Sequence, residues 1–193
     1  MSPWQSHCLE GDLPNLEGSF HIDVPSDTDV WAKPPAHNKF DAPFIYKTLK
    51  LSELTSAKIT VTAQWTQLYD QGGIMVVVKS KSGENRWVKS GVELLDGVPR
   101  VGTVARDVWA DWSLYPVVSR DGKSATVLFE NKVGDSLWIY LIGDDGTKHS
   151  LREVAWWAGL EADAELQVGV YGAKPSKEGD LRVEYRDFKV VSS

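Results

Sequence analysis

Tyr69-Asp70-Gln71-Gly72-Gly73-Ile74-Met75-Val76, followed by Trp87-Val88-Lys89-Ser90-Gly91-Val92-Glu93, decides the fold. Both runs read as β-strands. In the second, Trp87, Lys89, Gly91 and Glu93 alternate with Val88, Ser90, Val92 and Leu94, and period-two alternation is the mark of a strand with one face on a core. If Val88 and Val92 pack inward, the strand displays Trp87, Lys89 and Glu93. This pair of strands predicts a sheet and locates the face on which a site would lie.

Working outward, strands follow almost everywhere. The candidates are Ser19–Val24, Thr28–Lys33, Phe44–Leu49, Ala57–Trp65, Gly73–Ser80, Arg86–Leu94, Val98–Val104, Trp112–Val118, Ala125–Glu130, Leu137–Ile142, Leu166–Ala173 and Leu181–Val190. Most are rich in Val, Ile, Thr, Trp and Tyr. Asp96-Gly97, Asp121-Gly122 and Asp145-Gly146 lie about 25 residues apart between such runs. Asp-Gly supplies the positive φ that tight hairpins need, so the three are expected to link an antiparallel meander. Residues 36–42, bracketed by Pro34-Pro35 and Pro43, read as a polar loop, and Ser176–Asp180 as another. Leu151–Leu166 is rich in Ala and Glu, but Trp156-Trp157 and Gly159 spoil a helix; an irregular strand and loop with a helical turn is expected. No shift in composition divides the chain. Residues 1–193 are read as one all-β domain, a two-sheet antiparallel sandwich, with residues 1–18 a candidate N-terminal extension.

Composition narrows the partners. The 193 residues carry 25% charged side chains and a net charge of −6, which disfavours nucleic acid and anionic membranes. No apolar run approaches the roughly 20 residues of a membrane span. The lone Cys8 permits no internal disulfide, and residues 1–16 lack the apolar core of a signal peptide. A cytoplasmic location is the resulting expectation.

Alternation assigns the faces. Ile59, Val61, Ile74, Val76, Val78, Val88, Val92, Ile139, Val168 and Val170 are expected in the core. That parity turns Gln71, Met75, Trp87, Lys89, Glu93, Trp138, Tyr140 and Tyr171 outward. If their strands share a sheet, they make an aromatic face with polar anchors, the character of a binding groove; the competing reading buries them under loops. Gly72-Gly73 marks a bulge or a close backbone approach.

Catalytic patterns are weak. Glu161-Ala162-Asp163-Ala164-Glu165 resembles the Glu-x-Asp-x-Glu strand of laminarinase-like hydrolases, which needs two carboxylates across a groove. Its alanine spacers and its place ahead of the Leu166 strand favour an acidic loop. His7, His21, His37 and His149 have no metal spacing. Carboxylates such as Asp27 and Asp29 could face a calcium ion. No catalytic residue, metal or cofactor is assigned.

Five runs also carry a resemblance: Tyr69–Met75, Trp87-Val88-Lys89-x-Gly91-Val92-Glu93, Asp111-Trp112-Ser113, Val168-Gly169-Val170-Tyr171 and Asp187-Phe188. Together they resemble the DUF1349 family, which includes fungal "regulation of enolase" proteins, over roughly Phe20 to Val190. The resemblance implies a concanavalin A-like jelly roll and, for the fungal branch, a cytoplasmic role in regulating enolase and sugar metabolism; it carries over no catalytic residue, and a non-catalytic regulatory or binding protein is the expectation. Enolase or another metabolic protein is the implied partner; a saccharide ligand, or cryptic glycoside hydrolysis on the same fold, is the alternative. Where many relatives carry a small residue, Cys, Ser and Pro, this chain has Ala173-Lys174-Pro175-Ser176.

Overall fold

A computed structural model describes residues 2–80, 83–132 and 134–193. The strands in chain order are β1 (Gln5–His7), β2 (Ser19–Val24), β3 (Val30–Lys33), β4 (His37–Phe40), β5 (Phe44–Lys50), β6 (Leu54–Ala63), β7 (Gln71–Val78) and β8 (Arg86–Leu95). They continue with β9 (Val98–Arg106), β10 (Ala110–Pro116), β11 (Ala125–Asn131), β12 (Leu137–Ile142), β13 (Lys148–Val154), β14 (Glu165–Ala173) and β15 (Leu181–Ser192).

Two antiparallel sheets stack face to face. One is seven-stranded, in the order β1-β5-β14-β7-β8-β9-β10; the other is six-stranded, in the order β13-β12-β11-β6-β15-β2. β3 and β4 form a separate two-stranded ribbon. All pairings are antiparallel, and sequence neighbours repeatedly fall in different sheets, which makes this a concanavalin A-like jelly roll rather than a plain meander. Asp96-Gly97, with both residues at positive φ, closes the β8–β9 hairpin, and Asp145-Gly146 lies in the β12–β13 connection. Asp121-Gly122 departs from expectation. It lies in the crossover from β10 in one sheet to β11 in the other, where Asp121 is held by Ser119, Lys123 and Ser124.

The main core forms between the sheets. All ten side chains assigned to it, from Ile59 to Val170, are buried there, with Phe129, Trp157 and Tyr185 among the largest companions. Burying each such side chain contributes about 1.5–3 kcal/mol.

A second core lies on the outer face of the seven-stranded sheet. Val30, Ala42, Phe44, Met75, Val77, Trp87, Val104, Tyr171 and Ala173 are all buried there, with Trp31, Phe40, Tyr46 and Trp112 packed against them. The β3–β4 ribbon supplies Val30 and Trp31. The stretch 36–42 is therefore not wholly a loop: His37–Phe40 pairs with Val30–Lys33. It was illegible as a strand because its residues are mostly polar, and only alternate ones on the partner strand touch the sheet. Two other extensions are modest. β1 adds an edge strand inside residues 1–18 by pairing with β5. Lys148–Val154 forms β13 ahead of a single 3-10 turn at Ala155–Gly159.

Candidate functional site

Cross-strand pairs place Gln71 opposite Glu93, Met75 opposite Lys89 and Val77 opposite Trp87, while Tyr171 faces Gly73. Paired residues project to the same side. Gln71, Met75, Trp87, Lys89, Glu93 and Tyr171 thus share one face, as expected. Two corrections follow. That face is not open: all six are buried, Lys89 at 2% exposure and Glu93 at 9%, because the ribbon covers them. Trp138 and Tyr140 do not join them. They stand on β12, in the other sheet, where they stack at 6.0 Å with Lys148 over Tyr140. Alternation fixes which side of its own sheet a residue occupies, but not which of two sheets it belongs to.

The buried polar groups form one network. Lys89 Nζ donates to Gln71 Oε1 at 2.6 Å and lies 5.7 Å from the Trp87 ring and 5.5 Å from the Tyr171 ring. The Tyr171 hydroxyl donates to the same Oε1 at 3.4 Å. Gln71 Nε2 turns the other way, toward Asp29 Oδ1 at 3.4 Å and Tyr69 O at 3.3 Å. Buried ammonium groups need this kind of compensation. Burial lowers the Lys89 pKa, with Glu93 and Asp29 opposing it.

Glu93 is the exception. Among the described residues it has no ion pair within 4.0 Å, and burial pushes its carboxyl up from the ordinary 4.5 to about 7, while Lys89 pulls down and Asp29 pushes further up. It lies over Gly102, where a Cβ would meet Glu93 Oε2 at 2.8 Å and Trp112 Nε1 at 3.4 Å. The Trp112 indole N–H is buried beside it without a well-aligned acceptor. Gly73, Gly91 and Gly102 face one another across β7, β8 and β9. A Cβ on Gly73 would stand 2.1 Å from Ser90 O, so the Gly72-Gly73 pair marks a close backbone approach, with the ladder unbroken.

Around Glu93 the surface opens. Trp112 stands 6.2 Å from both Trp31 and Tyr69. Tyr69 is 37% exposed, Leu68 50% and Leu114, opposite Gly102, 40%. The turn that carries Tyr69 at φ 66° is pinned from below by Asp70. Its carboxylate accepts the Thr66 and Gln67 amides at 3.0 and 2.9 Å and the fully buried Lys174 ammonium at 3.1 Å. Lys174 was singled out in the sequence only as a departure from its relatives, and no local pattern links it to Asp70 more than a hundred residues away.

The remaining sequence candidates resolve simply. Glu161, Ala162, Asp163 and Ala164 lie in the turn before β14, and only Glu165 enters that strand. Asp27 is engaged by Lys39 and Lys177. No group of three or more His, Cys, Asp or Glu suited to a metal occurs among the described residues.

A family model described as "Protein of unknown function (DUF1349)" matches residues 13–193. The chain belongs to this family. It is 43% identical over 171 residues, 88% of its own length and 84% of the relative's, to "Uncharacterized protein AN7484" of Emericella nidulans. A shorter match, 34% over 58 residues, covers 30% of the chain and 27% of "Regulation of enolase protein 1" of Saccharomyces cerevisiae. Among solved structures, a functionally unknown protein from Saccharomyces cerevisiae superimposes with a TM-score of 0.79 at 20% identity, covering 100% of this chain and 96% of the other. That likeness shows the fold.

Proposed function

We propose that this family member is a non-catalytic, cytosolic regulatory protein that holds a metabolic enzyme on the rim formed by Leu68, Tyr69, Trp112 and Leu114, with Glu93 as the polar anchor at its base. The observation that carries the reading is the exposure of this apolar rim around a nearly buried carboxyl. The centre of the outer face is covered by the ribbon, and Lys89 and Gln71 are committed to each other, so recognition falls to the margin. A rigid sheet presents such side chains at low entropic cost, and Tyr and Trp dominate interface hot spots. The partner is enolase by analogy with the name of the yeast relative.

Calorimetry with purified yeast enolase, with and without β-glucan oligosaccharides, tests this. Binding is expected, with Tyr69→Ala weakening it by about 2 kcal/mol or more and the sugars not competing. Absence of binding, or full binding by both Tyr69→Ala and Leu68→Ala, overturns the reading. Glucan hydrolysis that is lost in Glu93→Gln overturns its non-catalytic part.

A further inference from the structure

At the other end of the same strands lies a groove that this function does not use. Gln71 and Glu93 mark the rim end of the β7–β8 pair, and Val78 and Arg86 the opposite end. Seven residue steps at about 3.3 Å put the two ends roughly 23 Å apart. There the strand ends, the β9–β10 connection and the turn around the 3-10 segment border two open clefts of about 780 and 290 Å³, with Asp107 lining both. Apolar and aromatic side chains stand among their charged lining. Val108 is 62% exposed and Trp109 37%, with Trp156 and Leu160 half-buried beside them.

The groove is built around arginines of the chain itself. The Arg86 guanidinium lies 5.5 Å from the Trp156 ring centroid and 2.7 Å from Asp107 Oδ1. Arg152 reaches the Asp111 carbonyl at 2.7 Å and its carboxylate at 3.5 Å. A planar cation against an indole, closed by a carboxylate, is a favourable pairing for arginine in particular. The lining has acidic groups left over. With Asp107 matched by Arg86, the acids Glu84, Glu161, Asp163 and Glu165 outnumber Lys79 among the described lining residues. None of these four acids has an ion-pair partner among the described residues.

We propose that this groove is a docking site for an arginine-rich segment of a partner protein, with Trp109 as the open stacking surface and Glu161 and Asp163 as counter-charges. The site is separate from the rim at Tyr69 and stands without it.

Calorimetric titration of the full chain with capped hexa-arginine, hexa-lysine and hexa-glutamate tests the assignment. Hexa-arginine should bind, hexa-lysine more weakly and hexa-glutamate not at all, and added salt should weaken the arginine complex. Trp109→Ala, and separately Glu161→Gln with Asp163→Asn, should each reduce affinity about tenfold, as loss of an interface anchor does. Tyr69→Ala should change nothing. The substituted positions are exposed, and unchanged thermal unfolding would confirm that each variant is folded. Failure of hexa-arginine to bind overturns the proposal. So does equal binding by wild type and both groove variants, which would reduce the effect to attraction by the net charge of −6, or a loss confined to Tyr69→Ala.

Discussion

Glu93 is where residue-scale energetics leave a measurable trace. Its carboxyl is lifted from 4.5 to about 7, chiefly by burial. The folded state therefore binds a proton more tightly than the unfolded chain, and stability falls as pH rises from about 4.5 to about 7. Below that window the cost is absent; above it the cost is complete, about 3 kcal/mol for a rise of this size. Glu93→Gln keeps the shape and removes the charge. Urea unfolding across pH 4 to 8 should show wild type losing stability through the window while the Gln variant stays comparatively flat and becomes the more stable above pH 7. Parallel curves for the two proteins would mean that Glu93 is not desolvated as described. The sequence placed Glu93 on the same face as Lys89 and Gln71, because alternation is a local property. It left out what sets its proton affinity: the cover over the sheet that desolvates it, and Asp29, which arrives with the ribbon and pushes the carboxyl further up.

Among the elements, the β3–β4 ribbon and the turn before β7 decide what remains accessible. Strand periodicity made the main core legible, since each of Ile74, Val76, Val78, Val88 and Val92 alternates on a single strand. The ribbon was legible only on one side, at Val30 and Trp31; its return strand, His37–Phe40, has no apolar rhythm of its own. The turn is held by the Asp70–Lys174 pair, with both side chains fully buried. Removing one partner of a buried pair strands the other, which costs about 3–5 kcal/mol. Lys174→Met should therefore lower unfolding free energy by that amount, and adding Asp70→Asn should recover part of it, because Asn still offers an oxygen to the Thr66 and Gln67 amides. A Lys174→Met protein within about 1 kcal/mol of wild type would show that the turn is anchored elsewhere.

For the whole molecule, the two sheets divide what the sequence grouped together. Trp138 and Tyr140 lie on the far sheet, so the rim reading predicts that Trp138→Ala leaves enolase binding unchanged while Tyr69→Ala reduces it; equal losses in a binding titration would place the contact surface across both sheets or away from the rim. Composition and alternation gave the sandwich architecture, but the sheet membership of a strand is a non-local property that only the assembled chain displays. The strand order carries one more implication, for biosynthesis. β14, residues 165–173, is an interior strand of the seven-stranded sheet, between β5 and β7. Until it emerges from the ribosome, β5 can pair only with β1, and β7 keeps one bare edge. The ribbon has no finished surface to settle on, since Tyr171 and Ala173 belong to it. A nascent chain halted before Glu165 is thus two sheet fragments with unpaired edges rather than a shorter sandwich, and such edges recruit other chains. Closure of this fold waits for β14, and termination ahead of it should produce aggregates instead of a truncated soluble domain.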